Sequence, residues 1–168
     1  MKATGRDIQL TRQIGEHLVT AELGRRGYLA TPFAGNIPMF DLLAADPSGR
    51  AILIQVKAIN GPSWQFSANK FLRIELVDNE QIVKGALSLS NPELLCIFVL
   101  IKGAGKDEFY IFHLRDLQKH FIRSYKGGRR PKNPKSMHCA IWPKDLEPFR
   151  DNWSLVESSF RLSKPFQR

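Results

Sequence analysis

Three polar residues stand inside a stretch that packing alone would fill with carbon. Phe40 to Ala58 reads FDLLAADPSGRAILIQVKA, two apolar strands joined by a turn, and it carries Asp41, Gln55 and Lys57. With the turn DPSGR centred on Ser48, residues whose numbers sum to 96 face each other, which sets Asp41 opposite Gln55. Side chains alternate faces along a strand and cross-strand partners share a face, so the three polar groups are expected on one patch. A slip of one residue in register would carry Asp41 to the other face.

An acid, an amide and an amine on one patch suit the hydrolysis of a phosphodiester. That reaction needs a hard cation to neutralise developing charge and to lower the pKa of water, and Mg²⁺ typically takes oxygen ligands from one or two carboxylates. Asp41 supplies the anionic oxygen, Gln55 an amide carbonyl and Val56 a main-chain carbonyl. Lys57, on the same face as Gln55, would orient or deprotonate the attacking water or stabilise the pentavalent transition state. Mg²⁺ is therefore the expected cofactor, with Mn²⁺ as a substitute.

The elements that must position these groups are legible around them. RDIQLTRQIGEHLVTAELGRRGY reads as a helix with one stripe of Leu10, Ile14, Leu18 and Ala21, a second of Val19 and Leu23, and Gly27 as its stop. A helix apolar on two sides packs against more than one neighbour. LATPF, FLRIELV, FYIFHL and HCAIW read as further strands, and ELLCIFVLI is too uniformly apolar for anything but a central strand covered on both faces. RDLQKHFIRSY reads as a helix with Leu117, Phe121 and Ile122 inward, and PKDLEPF as a late helical turn. The order implies one α/β or α+β domain over residues 1–168, built around a mixed sheet.

The chain has 168 residues and a formal charge of +9, which favours a polyanionic partner. KGGRRPKNPK, residues 126–135, packs Lys126, Arg129, Arg130, Lys132 and Lys135 among two glycines and two prolines. That composition disfavours regular structure and suggests a mobile basic loop that grips DNA phosphates. Cys96 and Cys139 sit in apolar settings as core thiols, and no signal peptide or membrane-length apolar run is evident, so a soluble, cytoplasmic protein is expected. Trp64, Trp142 and Trp153 are read as core or interface anchors. His17, His113, His120 and His138 lack zinc-like spacing and receive no role.

The acid in FDLL, the turn and then IQVKA resemble the PD-(D/E)XK nuclease superfamily, with QVK at the (D/E)XK element. GEHLVTAELGRRGY is similar to the first helix of these families, archaeal Holliday junction resolvases included, where a helical glutamate completes the metal site; Glu16 matches that position. The whole combination most resembles group I intron-associated homing endonucleases, in which glutamine at this position accompanies an intact lysine. The resemblance covers Ile8 to about Asn60, with Phe40 in place of proline and Gln55 in place of the usual acid. It implies a restriction-endonuclease-like α/β core, a mixed β-sheet flanked by helices, acting as a metal-dependent endonuclease on double-stranded or branched DNA. Glu16, Asp41, Gln55 and Lys57 would be catalytic, with Asp41, Gln55, Val56 and Glu16 around the metal. A homodimer or homotetramer would cut both strands, and no membrane partner is expected. Two alternatives stay open: a catalytically inactive DNA-binding module of the same fold, and a structure-specific junction resolvase. For Glu16, an ion pair with Arg12 or His17 is the competing assignment.

Overall fold

The computed structural model describes residues 5–34, 39–130 and 132–163. A long first helix, α1 (Gly5–Arg25), leads through Gly27, whose φ of +85° suits a glycine stop, into β1 (Leu29–Pro32). The hairpin β2 (Leu42–Ala45) and β3 (Ala51–Ile59) follows. A short strand β4 (Trp64–Ser67) precedes a second hairpin, β5 (Leu72–Val77) and β6 (Glu80–Ala86). Its tip, Asp78 and Asn79, has φ of 49° and 63°, the left-handed pair that a tight two-residue turn requires. Then come β7 (Leu95–Leu100), β8 (Glu108–His113), α2 (Leu114–Ser124), β9 (Gly128–Arg129), β10 (His138–Ile141), a 3₁₀ turn at Pro143–Phe149, and α3 (Ser154–Leu162).

Five strands form the main sheet in the order β1-β2-β3-β7-β8. β3 and β7 run parallel and the other neighbours antiparallel, so the sheet is mixed as the sequence implies. Every residue of β7 is buried, as expected of a central strand covered on both faces. One face carries Ile54, Val56, Ile97, Val99 and Ile111 against Val19 and Leu23 of α1 and Val156 and Phe160 of α3. The other carries Cys96, Phe98, Tyr110 and Phe112 against Trp64, Phe66, Leu117 and Phe121. Burial pushes the Cys96 thiol up to about 12, in keeping with a core role, and that of half-buried Cys139 up to about 11. Two small sheets, β4 with β10 and β5-β6-β9, add to the second face. Among the described residues no helix is long and apolar enough to cross a membrane.

Two sequence readings are corrected. The buried stripe of α1 is Gly15, Val19 and Leu23, whereas Leu10 and Ile14 are 54% and 38% exposed. The cause is a backbone-close contact: a Cβ placed on Gly15 would lie 2.3 Å from the Cβ of Ala58, so the helix rests on β3 through small residues rather than large ones. In α2, Leu117 and Phe121 face inward but Ile122 is 47% exposed, one position off the helix stripe.

Candidate functional site

The hairpin pairs Leu42 with Ile54, Leu43 with Leu53, Ala44 with Ile52 and Ala45 with Ala51, each pair summing to 96 as the turn predicts. β2 then stops, while β3 continues to Ile59 with only β7 beside it. Within a strand, a residue's N–H and C=O point to one edge and successive residues alternate edges. Ile59 sends its carbonyl to Ile101 beyond β7, so Val56, three residues back, directs its polar groups to the open edge. Asp41 fills that gap. Its own N–H donates to the Ile54 carbonyl at 2.9 Å, and its Oδ2 accepts the Val56 N–H at 2.8 Å, so a side chain replaces the missing strand. The Val56 carbonyl faces the same notch.

α1 closes the notch from its side of the sheet. The Gly15–Ala58 contact brings the helix close, and one turn of spacing sets Arg12 beneath Glu16. The Arg12 Nε donates to Glu16 Oε1 at 2.8 Å and its Nη2 to Asp41 Oδ1 at 2.9 Å. One guanidinium therefore bridges two carboxylates from different elements. Their side chains are only 12% and 11% exposed, against 45% for Arg12. The hydrogen bond to Glu16, aided by the charge of Asp41, raises the Arg12 pKa above its ordinary value despite some burial.

Gln55 and Lys57 project from the other face of β3, toward β4. The Lys57 ammonium lies 5.6 Å from the Phe66 ring centroid, and its carbonyl accepts the Trp64 indole N–H at 3.0 Å. Burial lowers the Lys57 pKa, and the charge of nearby Asp41 opposes that shift. Gln55 and Lys57 line a cleft of about 550 Å³ with Lys70, Ser67, Ser88 and His138. Asp41, Val56 and Glu16 thus gather directly at the notch, while Gln55 and Lys57 open onto the adjoining cleft. Both Asp41 oxygens are engaged by Val56 and Arg12 rather than by Gln55.

Among the described residues no group of three or more His, Cys, Asp and Glu side chains gathers around a point that could hold a metal. What the notch and cleft do offer is oxygen: two carboxylates, the Gln55 amide and the Val56 carbonyl. Such donors fit a hard divalent cation rather than a soft one. That Asp41 and Glu16 already share one cation, the Arg12 guanidinium, shows that positive charge is favoured there.

The chain matches no protein-family model, and no curated protein matches its sequence. Among solved structures it is similar to a bacterial homing endonuclease, with a TM-score of 0.50 and 13% identity over 90% of this chain and 93% of that one. The fold is restriction-endonuclease-like. A Holliday junction resolvase from the archaeal hyperthermophile Archaeoglobus fulgidus also aligns, with a TM-score of 0.46 and 14% identity over 94% of this chain and 98% of that one.

The basic segment lies beyond this restriction-endonuclease-like sheet, beside β6. Contrary to its composition it contains a strand, β9, whose Gly128 and Arg129 pair with Gln81 and Glu80. Gln81 is 2% exposed and holds the segment by its side chain: the amide donates to the carbonyls of Pro134 and Ser136 and accepts the Tyr125 hydroxyl. Lys126, Arg129, Lys132 and Lys135 are exposed, whereas Arg130 is half-buried with its guanidinium 5.2 Å from the Tyr125 ring centroid. Pro131 lies outside the described residues. Of the tryptophans, Trp64 is core, Trp153 packs under Arg26 at 3.9 Å, and Trp142 is exposed.

The sequence reading of an Arg12–Glu16 ion pair is met, but it missed that Arg12 also bridges to Asp41 and that Gly15 is the spacer. The four-residue step from Arg12 to Glu16 signals the ion pair, but the contact to Asp41, 29 residues away, had no local signal. A glycine inside a long helix, one residue before the candidate glutamate, was the signal for the second.

Proposed function

We propose that the protein is a metal-dependent DNA endonuclease that hydrolyses phosphodiester bonds by an activated water. The observation that carries this reading is the open edge of β3, where the Asp41 carboxylate takes the Val56 N–H beside Glu16, within electrostatic reach of a desolvated Lys57. Asp41, Glu16, Gln55 and the Val56 carbonyl would hold a divalent ion, Mg²⁺ or Mn²⁺. When bound, it would supply charge neutralisation on the phosphate and acidify water. Asp41 is kept in place by the Val56 amide at Oδ2, so the carboxylate is preorganised, with its Oδ1 on Arg12. Lys57 acts on the attacking water or on the charge that develops as phosphorus becomes five-coordinate. The bond to the leaving sugar oxygen then breaks and that oxygen takes up a proton.

Exposed Lys126, Arg129, Lys132 and Lys135, with Arg130, would contact the DNA backbone, an interaction weakened by salt through counterion uptake. Cutting both strands calls for two sites, hence a homodimer or homotetramer. A homing-type enzyme would require a long duplex target; a junction resolvase would prefer four-way branches. Cleavage of supercoiled plasmid with Mg²⁺ or Mn²⁺, against EDTA, tests the reading. Wild type should nick or linearise the plasmid, and Lys57→Ala should be slower by about 10²- to 10⁴-fold. Equal cleavage by both would remove Lys57 from the mechanism.

A second reading has its own support. Gln55 brings no charge and Arg12 already occupies both carboxylates and offsets half of their charge, as in a DNA-binding module without cleavage. It predicts salt-dependent retention of DNA, no metal requirement and no nicks.

A further inference from the structure

We propose that Arg12 is an exchangeable counter-ion: its guanidinium pairs with Asp41 and Glu16 in the absence of metal and gives up those oxygens when a divalent cation binds. The inference rests on the metal-dependent reading above. Three observations carry it. The bridge uses one N–H for each carboxylate, Nε for Glu16 and Nη2 for Asp41, instead of a two-pronged fork onto either. Single contacts of this kind are weaker and less directional than bidentate ones. The arginine is also the exposed member of the trio, 45% against 12% and 11%, so displacing it disturbs less of the packed interior than displacing either carboxylate. Finally, Asp41 is fixed independently of Arg12 by the Val56 N–H at 2.8 Å, so losing the arginine does not release the acid.

The charge count explains why an exchange is needed. Two nearly buried carboxylates without a counter-ion repel each other and are costly to desolvate, and one guanidinium offsets half of their charge. A divalent cation offsets all of it. Because both cations need the same oxygens, the apparent metal affinity is lowered by the fraction of molecules in which Arg12 is seated.

The test is Mn²⁺ binding to the full chain without DNA, by calorimetry, with thermal unfolding measured in parallel. Wild type is compared with Arg12→Gln, Arg12→Lys and Asp41→Asn. Arg12→Gln should bind Mn²⁺ about tenfold more tightly, as one charge-assisted contact ceases to compete. Its metal-free unfolding midpoint should fall, and Mn²⁺ should raise that midpoint more than it does for wild type. Arg12→Lys should lie between the two, and it decides the matter if Arg12→Gln does not fold. If wild type binds Mn²⁺, Asp41→Asn does not, and the arginine variants bind equally or more weakly, the metal site stands and the exchange is refuted. If neither wild type nor a folded arginine variant binds Mn²⁺, the metal-dependent reading fails and the exchange falls with it.

Discussion

Asp41 and Asp46 flank one four-residue strand, both are largely buried, and each is paired with an arginine, yet they are held in opposite ways. Asp46 is satisfied by its own turn. Its Oδ1 accepts from the Ser48 and Arg50 N–H groups at 3.0 and 2.9 Å, and its Oδ2 from the Arg50 side chain at 2.8 Å. Burial works to raise the Asp46 pKa, but the Arg50 N–H, the Ser48 hydroxyl and the Arg50 side chain outweigh it and hold the carboxyl below its ordinary value. Asp41 has one backbone partner, and its arginine comes from 29 residues away on another element. The Asp46 carboxylate is closed by groups of its own turn; that of Asp41 is closed by groups from two other elements.

The sharpest way to break that contrast is to neutralise each acid in turn. Asp41→Asn should reduce plasmid cleavage by about a thousandfold or more, whereas Asp46→Asn should leave the rate per folded molecule unchanged. Their order should invert in thermal unfolding, where Asp46→Asn lowers the midpoint more. Loss of cleavage in both variants would show that the turn, not the notch alone, sets the site.

Next in size is Gly15→Ala. The added methyl would meet the Ala58 side chain at 2.3 Å, forcing α1 away from β3 at a cost of about 1–3 kcal/mol. Denaturant unfolding measures that loss, and cleavage should fall with it because Arg12 and Glu16 ride on the same helix. An unchanged stability would mean that the helix and strand part without penalty.

A smaller effect is expected in acid. The Asp46 carboxyl, with its folded pKa lowered, contributes stability that is present above the unfolded carboxylate range near 3.9 and is lost as pH falls through the folded value. Asp46→Asn should therefore flatten the acid limb of a stability–pH curve. His113 acts further up the scale: burial lowers its pKa while its Nδ1 pairs with the Glu93 carbonyl at 2.9 Å, so stability should decline as pH falls below about 6.5. His113→Gln should remove that decline. Smallest of all, Ser48→Ala deletes one hydroxyl contact to Asp46 and should cost about 1 kcal/mol by denaturant unfolding, with cleavage untouched.

Much of the architecture was readable because it follows from short-range rules. The DPSG turn fixes the hairpin register, uniform apolarity marks β7, and alternation marks β5. The position of Glu16 follows from the inward course of Val19 and Leu23 along α1, whereas the register sets Asp41 opposite Gln55 and does not say that its side chain takes the Val56 N–H. What was not readable depends on approach between elements. Leu10 and Ile14 looked like core because periodicity cannot say how far a helix overhangs its sheet, and a glycine–alanine contact carries no hydrophobic signal. β4, β6 and α3 were missed for a related reason. Their sequences are mixed, and it is pairing with β10, with β5 and with the α1 face that makes them regular. The two-residue strand in the basic segment was not readable because its partners lie on β6, with Gln81 some fifty residues earlier in the chain.

The amide of Val56 has an unusual guardian, a side chain in place of a neighbouring strand. Its proton is therefore a built-in gauge. Isotope exchange or the nitrogen–proton resonance at that one position will register any change in Asp41, whether from substitution, from a bound ion or from DNA. The interior of the sheet, laced by main chain alone, will stay silent.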